Sequence, residues 1–342
     1  MIPVSLYVAS LTFVVSFFAA RLMINAGIAD IPVTRSSHAQ PTPTSGGLGV
    51  LCGVAAGFLM LSFFGLGEIF SELSVLLSLS FAVALIGLYD DLFSPSTLIK
   101  FGIFIGIILL LIDFLGPVQQ FPLGEYLLQL PFWAGGLGTL LWVFVVVNGV
   151  NFMDGVNGLM AGSMVIAFLG LCLTAHILAA EQTFWLGLIL ASAWAGFLQL
   201  NLRRNALLFS GDVGALFAGF LFAGGVLLLA HEVDRPTSIC LGALLILPFL
   251  TDVLLTLLWR LIRKQNLLEP HRDHLYQRAI RNGVSHVKIS LIYYALFSLC
   301  TVIAILIANQ DQAVVSAVLL IMIIVSIMAY MAGHKSWRIA QG

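Results

Sequence analysis

The sequence predicts an all-α, polytopic membrane protein with about eleven spans, organised as one transmembrane domain over residues 1–342. Three observations carry that prediction. Of the residues, 60% are hydrophobic and only 9% are charged, against roughly 25% charged in soluble globular proteins. Mean hydropathy is +1.07. Uncharged apolar runs of spanning length recur from one end to the other without the two-residue alternation of a membrane barrel, so the backbone is satisfied within helices.

The spans follow in order. Val4–Met23 has no basic residue before it and reads as a retained span rather than a cleaved leader. Gly46–Phe64 comes after the polar segment RSSHAQPTPTSGG, and Leu73–Tyr89 stops at the paired acids of GLYDDLFSPS. Leu98–Leu115 opens beside Lys100. Phe132–Val147 is short and glycine-rich; Leu159–Leu178, Phe184–Leu200 and Val213–Ala230 are plainly apolar. Ser238–Ile262 reads as one long span, and Ile289–Ala308 and Ala313–Met331 complete the set. The longest polar stretch is the His/Arg segment 260–288. No internal repeat and no soluble domain is visible.

With eleven spans the connecting segments alternate sides, and of the 15 Lys and Arg residues all but Arg235 fall on one of them. The positive-inside bias makes that side cytoplasmic, with the N-terminus outside and the C-terminus inside. The 4 cysteines each lie in an apolar run without metal-ligand spacing, so they read as small core residues.

The polar residues that stand out collect on the same side. Asp90 and Asp91 end the third span, Asp154 lies in NGVNFMDGVNG, and Asp212 lies in FSGDVG. Adjacent carboxylates at a membrane boundary raise one another's pKa unless a cation compensates. A hard ion such as Mg²⁺ binds through one or two carboxylates plus substrate phosphates. An acid at a helix end also serves as an ordinary cap, but four on one face point to a site. Asn148, Asn151, Asp154 and Asn157 are spaced by three, which keeps each roughly on the helical face of its neighbour, and the asparagine amides both donate and accept. HRDHLYQR supplies His271, Arg272, His274 and Arg278, a donor-rich set for phosphate oxygens. Arg35 sits in the first basic loop, and Lys100 is placed to neutralise the acids or hold a phosphate. Asp252 lies within the ninth span, two turns before Arg260, where an acid is either functional or paired. Carboxylates for a metal, a cationic loop and an apolar surround suggest phosphoryl transfer with one lipid-soluble partner.

GLYDDL, NGVNFMDGVNGL, FSGDVGALFAG and HRDHLYQR, in this order over nearly the whole chain, resemble the polyprenyl-phosphate N-acetylhexosamine-1-phosphate transferases. The resemblance implies transfer of a sugar 1-phosphate from a UDP-sugar to undecaprenyl phosphate, releasing UMP with Mg²⁺ or Mn²⁺. It implies Asp90, Asp91, Asp154 and Lys100 as catalytic residues, with Asp90 acting on the lipid phosphate. Asp212, Asp91 and Asp154 become the metal set, and Asn148, Asn151, Arg35, His271, Arg272, His274 and Arg278 contact substrate. The pattern HRDH, where the peptidoglycan translocase has consecutive histidines, is more like the branch that initiates O-antigen and other surface polysaccharides from UDP-N-acetylglucosamine or a 6-deoxy analogue. The implied setting is the bacterial inner membrane with the site facing the cytoplasm, without nucleic acid, and compatible with a homodimer. The competing readings are the peptidoglycan translocase of the same family and, in another class, a cation-coupled transporter, whose ionisable residues belong near the bilayer midplane.

Overall fold

The computed structural model describes residues 2–26, 29–30, 42–66, 71–93, 97–267, 269 and 271–337. Helices occupy every predicted span. They are α1 (Ile2–Met23), α2 (Gly47–Phe63), α3 (Ser71–Phe93), α4 (Thr97–Leu115), α5 (Phe132–Phe152), α6 (Leu159–Ile177), α7 (Glu181–Asn201) and α8 (Gly211–Val233). Then come α9 (Thr237–Leu245), α10 (Leu247–Ile262), α11 (Leu275–Arg281), α12 (His286–Ile307) and α13 (Gln312–Ser336). Among the described residues 9 helices are long and apolar enough to cross a bilayer, and α9 with α10 forms a tenth as a bent pair. At 17 residues, α2 sits at the lower limit for a span.

The predicted span Ser238–Ile262 is broken into two helices: α9 and α10 meet at Ile246 with a bend of 79°. Pro248, at the start of α10, has no amide for the preceding turn, and its ring excludes that turn's carbonyl. The connection after α4 also holds more order than expected. Strands β3 (Gln120–Leu123) and β4 (Tyr126–Gln129) pair antiparallel around Gly124–Glu125, with Gly124 at φ +62°. A shorter pair joins β1 (Ala29–Asp30) to β2 (Thr42–Pro43).

Several helices outrun their predicted ends, and two of these extensions carry residues of interest. Because α3 continues to Phe93, Asp90 and Asp91 stand in its last turn, and α5 continues to Phe152, so Asn148 and Asn151 project from helix. At the centre of the bundle is α8, buried along nearly its whole length against α2, α3, α5, α7 and α9. Its small residues permit this. A Cβ on Gly87 of α3 would lie 2.6 Å from the Asp212 carbonyl oxygen and the Val213 Cα, so α3 and α8 touch backbone to backbone beside the acids.

Polar contacts sort the connections into two ends. At one, Gln182 Nε2 donates to Glu72 (2.8 Å), the Gln182 and Thr183 amides donate to Glu232 (2.8 and 2.9 Å), and Gln312 Nε2 donates to the Tyr126 carbonyl (2.7 Å). At the other lie Asp90, Asp91, Lys100, Asp154, Asp212 and the His/Arg segment. Each of the contacts at the first end joins connections that the alternation read from charge puts on the same side.

Candidate active site

The core of the site is assembled from three helix ends. Lys100, in the first turn of α4, points its ammonium between two carboxylates: Nζ lies 2.5 Å from Asp90 Oδ2 and 2.9 Å from Asp212 Oδ2. All three side chains are partly buried, where Coulomb attraction is stronger than in water. Asp91 turns the other way and caps α8 from outside its own helix. Its Oδ1 accepts from the Asp212 amide (2.9 Å) and its Oδ2 from the Val213 amide (3.4 Å), the unpaired donors of that helix's first turn.

Gly211 makes this possible. It sits at φ +72°, and a Cβ there would press on Asp91 Oδ2 and lie 3.1 Å from Thr44 Oγ1. The segment before α2 backs the turn. The Phe209 amide donates to the Pro43 carbonyl, and the amides of Gly46 and Gly47 donate to the carbonyls of Phe209 and Ser210, each at 2.8 Å. Sequence reading missed Thr44 and Ser210. The signal for Ser210 was its place directly before Gly211-Asp212.

Asp154 joins through Ser210, whose hydroxyl donates to its Oδ2. Burial, aided by the nearby Asp91 charge and opposed by the Ser210 bond, raises the Asp154 carboxyl to about 6. Asn148 donates back to the Phe144 carbonyl (2.8 Å) and lines, with Lys100, Phe101 and Phe104, a small cleft between α3, α4, α5 and α8. Asn151 follows one turn on, half-buried. Asn157 is occupied structurally, donating to the carbonyls of Arg203 (2.9 Å) and Arg204 (3.2 Å).

The His/Arg segment docks beside Asp154. Tyr276 Oη donates to the Phe152 carbonyl (2.9 Å) and covers Gly155. The His274 ring is stacked on Tyr276 (centroids 6.1 Å, planes 11° apart) and packs near Phe152 (5.8 Å) and His271 (5.0 Å). Burial first, then the neighbouring His274 and Arg260, lowers the His271 imidazole to about 4, which favours the neutral ring at pH 7. Arg278, expected at substrate, is bonded to His334 and to the Trp337 carbonyl (3.2 and 3.3 Å), which latches the segment to α13. The Arg272 carbonyl accepts from Arg281 at 2.5 Å. Arg35 lies outside the described residues.

Among the described residues no three Asp, Glu, His or Cys side chains form a group able to hold a metal. The set Asp91, Asp154 and Asp212 is thus not a preformed cage, since Asp91 faces amides and Asp154 faces Ser210. What is present is the pair Asp90 and Asp212, already sharing one cation, the Lys100 ammonium. Two carboxylates with all-oxygen donors fit a hard divalent ion that draws its remaining ligands from phosphates and water.

Residues 73–230 match the family model for glycosyl transferase family 4, a region that contains Asp90, Asp91, Lys100, Asp154 and Asp212 but not the His/Arg segment. The chain is 26% identical over 320 residues to the "probable undecaprenyl-phosphate N-acetylglucosaminyl 1-phosphate transferase" of Bacillus subtilis strain 168, covering 90% of this chain and 85% of that one. It is 27% identical to the decaprenyl-phosphate N-acetylglucosaminephosphotransferase of Mycolicibacterium smegmatis, over 85% of this chain and 78% of the relative. With the undecaprenyl-phosphate alpha-N-acetylglucosaminyl 1-phosphate transferase of Escherichia coli K12 it shares 23% identity over 95% of this chain and 89% of the relative.

Proposed function

Since the chain belongs to the polyprenyl-phosphate N-acetylhexosamine-1-phosphate transferases of glycosyl transferase family 4, we propose that it moves N-acetylglucosamine 1-phosphate from UDP-N-acetylglucosamine to undecaprenyl phosphate. The reaction runs at the cytoplasmic face of the bacterial inner membrane. A lipid-phosphate oxygen bonds to the sugar-bearing phosphorus, the bond from that phosphorus to the bridging oxygen breaks, and UMP leaves. The product is a lipid diphosphate sugar, the starting unit for surface polysaccharides of the O-antigen type.

The observation that carries this reading is the Lys100 ammonium held between Asp90 and Asp212 where the apolar helices end. A cation fixed there neutralises phosphate charge as a water-soluble diphosphate meets a lipid-borne phosphate, and positioning plus neutralisation is most of what phosphoryl transfer requires. Asp90 orients the lipid phosphate and accepts its proton when the lipid arrives as the monoanion. Asp212, with Asp90, would hold a divalent ion, which supplies further charge neutralisation when bound. Asn148 and Asn151, on the face that leads to Asp154, serve the nucleotide sugar, with His271 as a neutral partner.

The peptidoglycan translocase reading is not favoured by the relatives above, which are named for N-acetylglucosamine. The transporter reading loses its deep acid, because Asp252 is bonded to the backbone of the His/Arg segment.

Purified protein in detergent, supplied with undecaprenyl phosphate and UDP-N-acetylglucosamine, should release UMP with Mg²⁺ or Mn²⁺ and stop on addition of EDTA. Turnover that persists in EDTA would remove the divalent ion. No UMP under any metal condition would remove the reaction itself.

A further inference from the structure

Asp252 is a carboxylate in the interior of α10, 2% exposed, and the transfer chemistry above leaves it without a role. A buried carboxylate survives only where donors surround it, and here they come from α10 itself, from the start of α11 and from α12. Oδ1 accepts from the Leu275 amide (2.8 Å) and from Thr256 Oγ1 (3.2 Å), and Oδ2 accepts from Tyr293 Oη (2.6 Å) and, more weakly, the Tyr276 amide (3.4 Å). The His274 Nδ1, buried without a hydrogen-bond partner, lies 3.6 Å from Asp252 Oδ1.

The neighbours on the same face continue the pattern. Residues 252, 256 and 260 fall at four-residue intervals along α10. Thr256 Oγ1 pairs with Tyr330 Oη of α13 (3.0 Å). Arg260, also buried, holds the Asp273 carboxylate and donates to the Asn266 carbonyl (2.8 Å). One face of α10 thus grips the HRDHLYQR stretch at Asp273, His274, Leu275 and Tyr276. Tyr276 in turn fastens that stretch to the end of α5, two residues from Asp154.

We propose that Asp252 is a positioning residue for the transfer reaction, fixing the first turn of α11 and the His274 ring against the Asp154 segment. This rests on the reaction proposed above. The Nδ1–H tautomer of His274 aims its proton at Asp252 and leaves Nε2 free to accept, so the carboxylate sets both the ring's direction and its hydrogen-bonding sense. Asp252 touches no reacting atom; it acts through His274 and Tyr276.

The test compares the full-length wild type, Asp252→Asn, His274→Gln and the double variant with undecaprenyl phosphate and UDP-N-acetylglucosamine. Asparagine keeps an acceptor for the Leu275 amide but removes the charge that faces His274. Each single change should lower kcat/KM by about 10- to 100-fold, as loss of a group that orients an active-site ligand does. The double variant should fall no more than about threefold below His274→Gln alone, because coupled residues are not additive. Losses that multiply, or a near-normal Asp252→Asn, would overturn the proposal.

A second arm needs no turnover. Diethyl pyrocarbonate labelling, read by mass spectrometry, should modify His274 about fivefold faster in Asp252→Asn, because its local opening becomes easier. His176 and His231, at the opposite end, serve as unchanged references. Tyr293→Phe removes one donor to Asp252 and should move His274 labelling in the same direction, which keeps the question decidable where Asp252→Asn folds poorly. An unchanged His274 rate in both variants overturns the holding role. A wild type that releases no UMP defeats the reaction, while the labelling still decides whether Asp252 fixes the loop.

Discussion

Asp212→Asn should lower the rate of UMP release by at least about 100-fold, equivalent to about 2.7 kcal/mol of transition-state stabilisation, with the bundle intact. The substitution preserves shape and keeps every backbone contact that holds the start of α8. The bond from the Asp212 main-chain amide to Asp91 does not depend on the side chain. What disappears is the negative charge 2.9 Å from Lys100 Nζ, which leaves the ammonium with Asp90 alone and any divalent ion with one carboxylate fewer. The control is Asp234→Asn at the opposite end of the same helix. Asp234 adopts φ +46°, a conformation asparagine tolerates well, and it should stay within about twofold of wild type. Normal turnover in Asp212→Asn, or an equal loss in Asp234→Asn, would remove Asp212 from the chemistry.

Span positions and the grouping of loops were legible because membrane burial is written locally, in runs of apolar residues and in the placement of Lys and Arg. So were the acids, since a charge at the end of a greasy helix has few structural excuses. The bend between α9 and α10 had its mark in Pro248, but hydropathy averages over a proline and joined the two halves. Partnerships across the fold were not legible. Nothing in the sequence says that Asp91 caps α8 while its neighbour Asp90 faces Lys100, because that choice depends on where α3 meets the start of α8, backbone to backbone at Gly87. Arg278 illustrates the same limit. Its type and motif suit a phosphate, yet α13 brings the Trp337 carbonyl and His334 to it first. Ser210 and Thr44 were missed because a hydroxyl gains meaning only from what the fold sets beside it.

Lys100→Met should be nearly as damaging, with a loss of about 100-fold or more in kcat, and it separates two roles the ammonium could serve. Methionine fills the same unbranched space without charge, so Asp90 and Asp212 are left facing each other uncompensated, and the arriving diphosphate loses its fixed cation. Lys100→Arg keeps the charge but replaces a compact ammonium by a planar fork that does not fit between the same two oxygens, and about a tenfold loss is expected. The informative measurement is the Mg²⁺ dependence. The ammonium and a divalent ion draw on the same two carboxylates, so removing the ammonium frees ligands for the ion. Half-maximal activity in Lys100→Met should therefore come at the same Mg²⁺ concentration as in wild type or a lower one, while kcat stays depressed at saturation. Full restoration of kcat by Mg²⁺ would show that Lys100 only stands in for the ion between substrates. A loss that no Mg²⁺ concentration repairs places the fixed positive charge in the transition state, where the phosphorus moves from nucleotide to lipid.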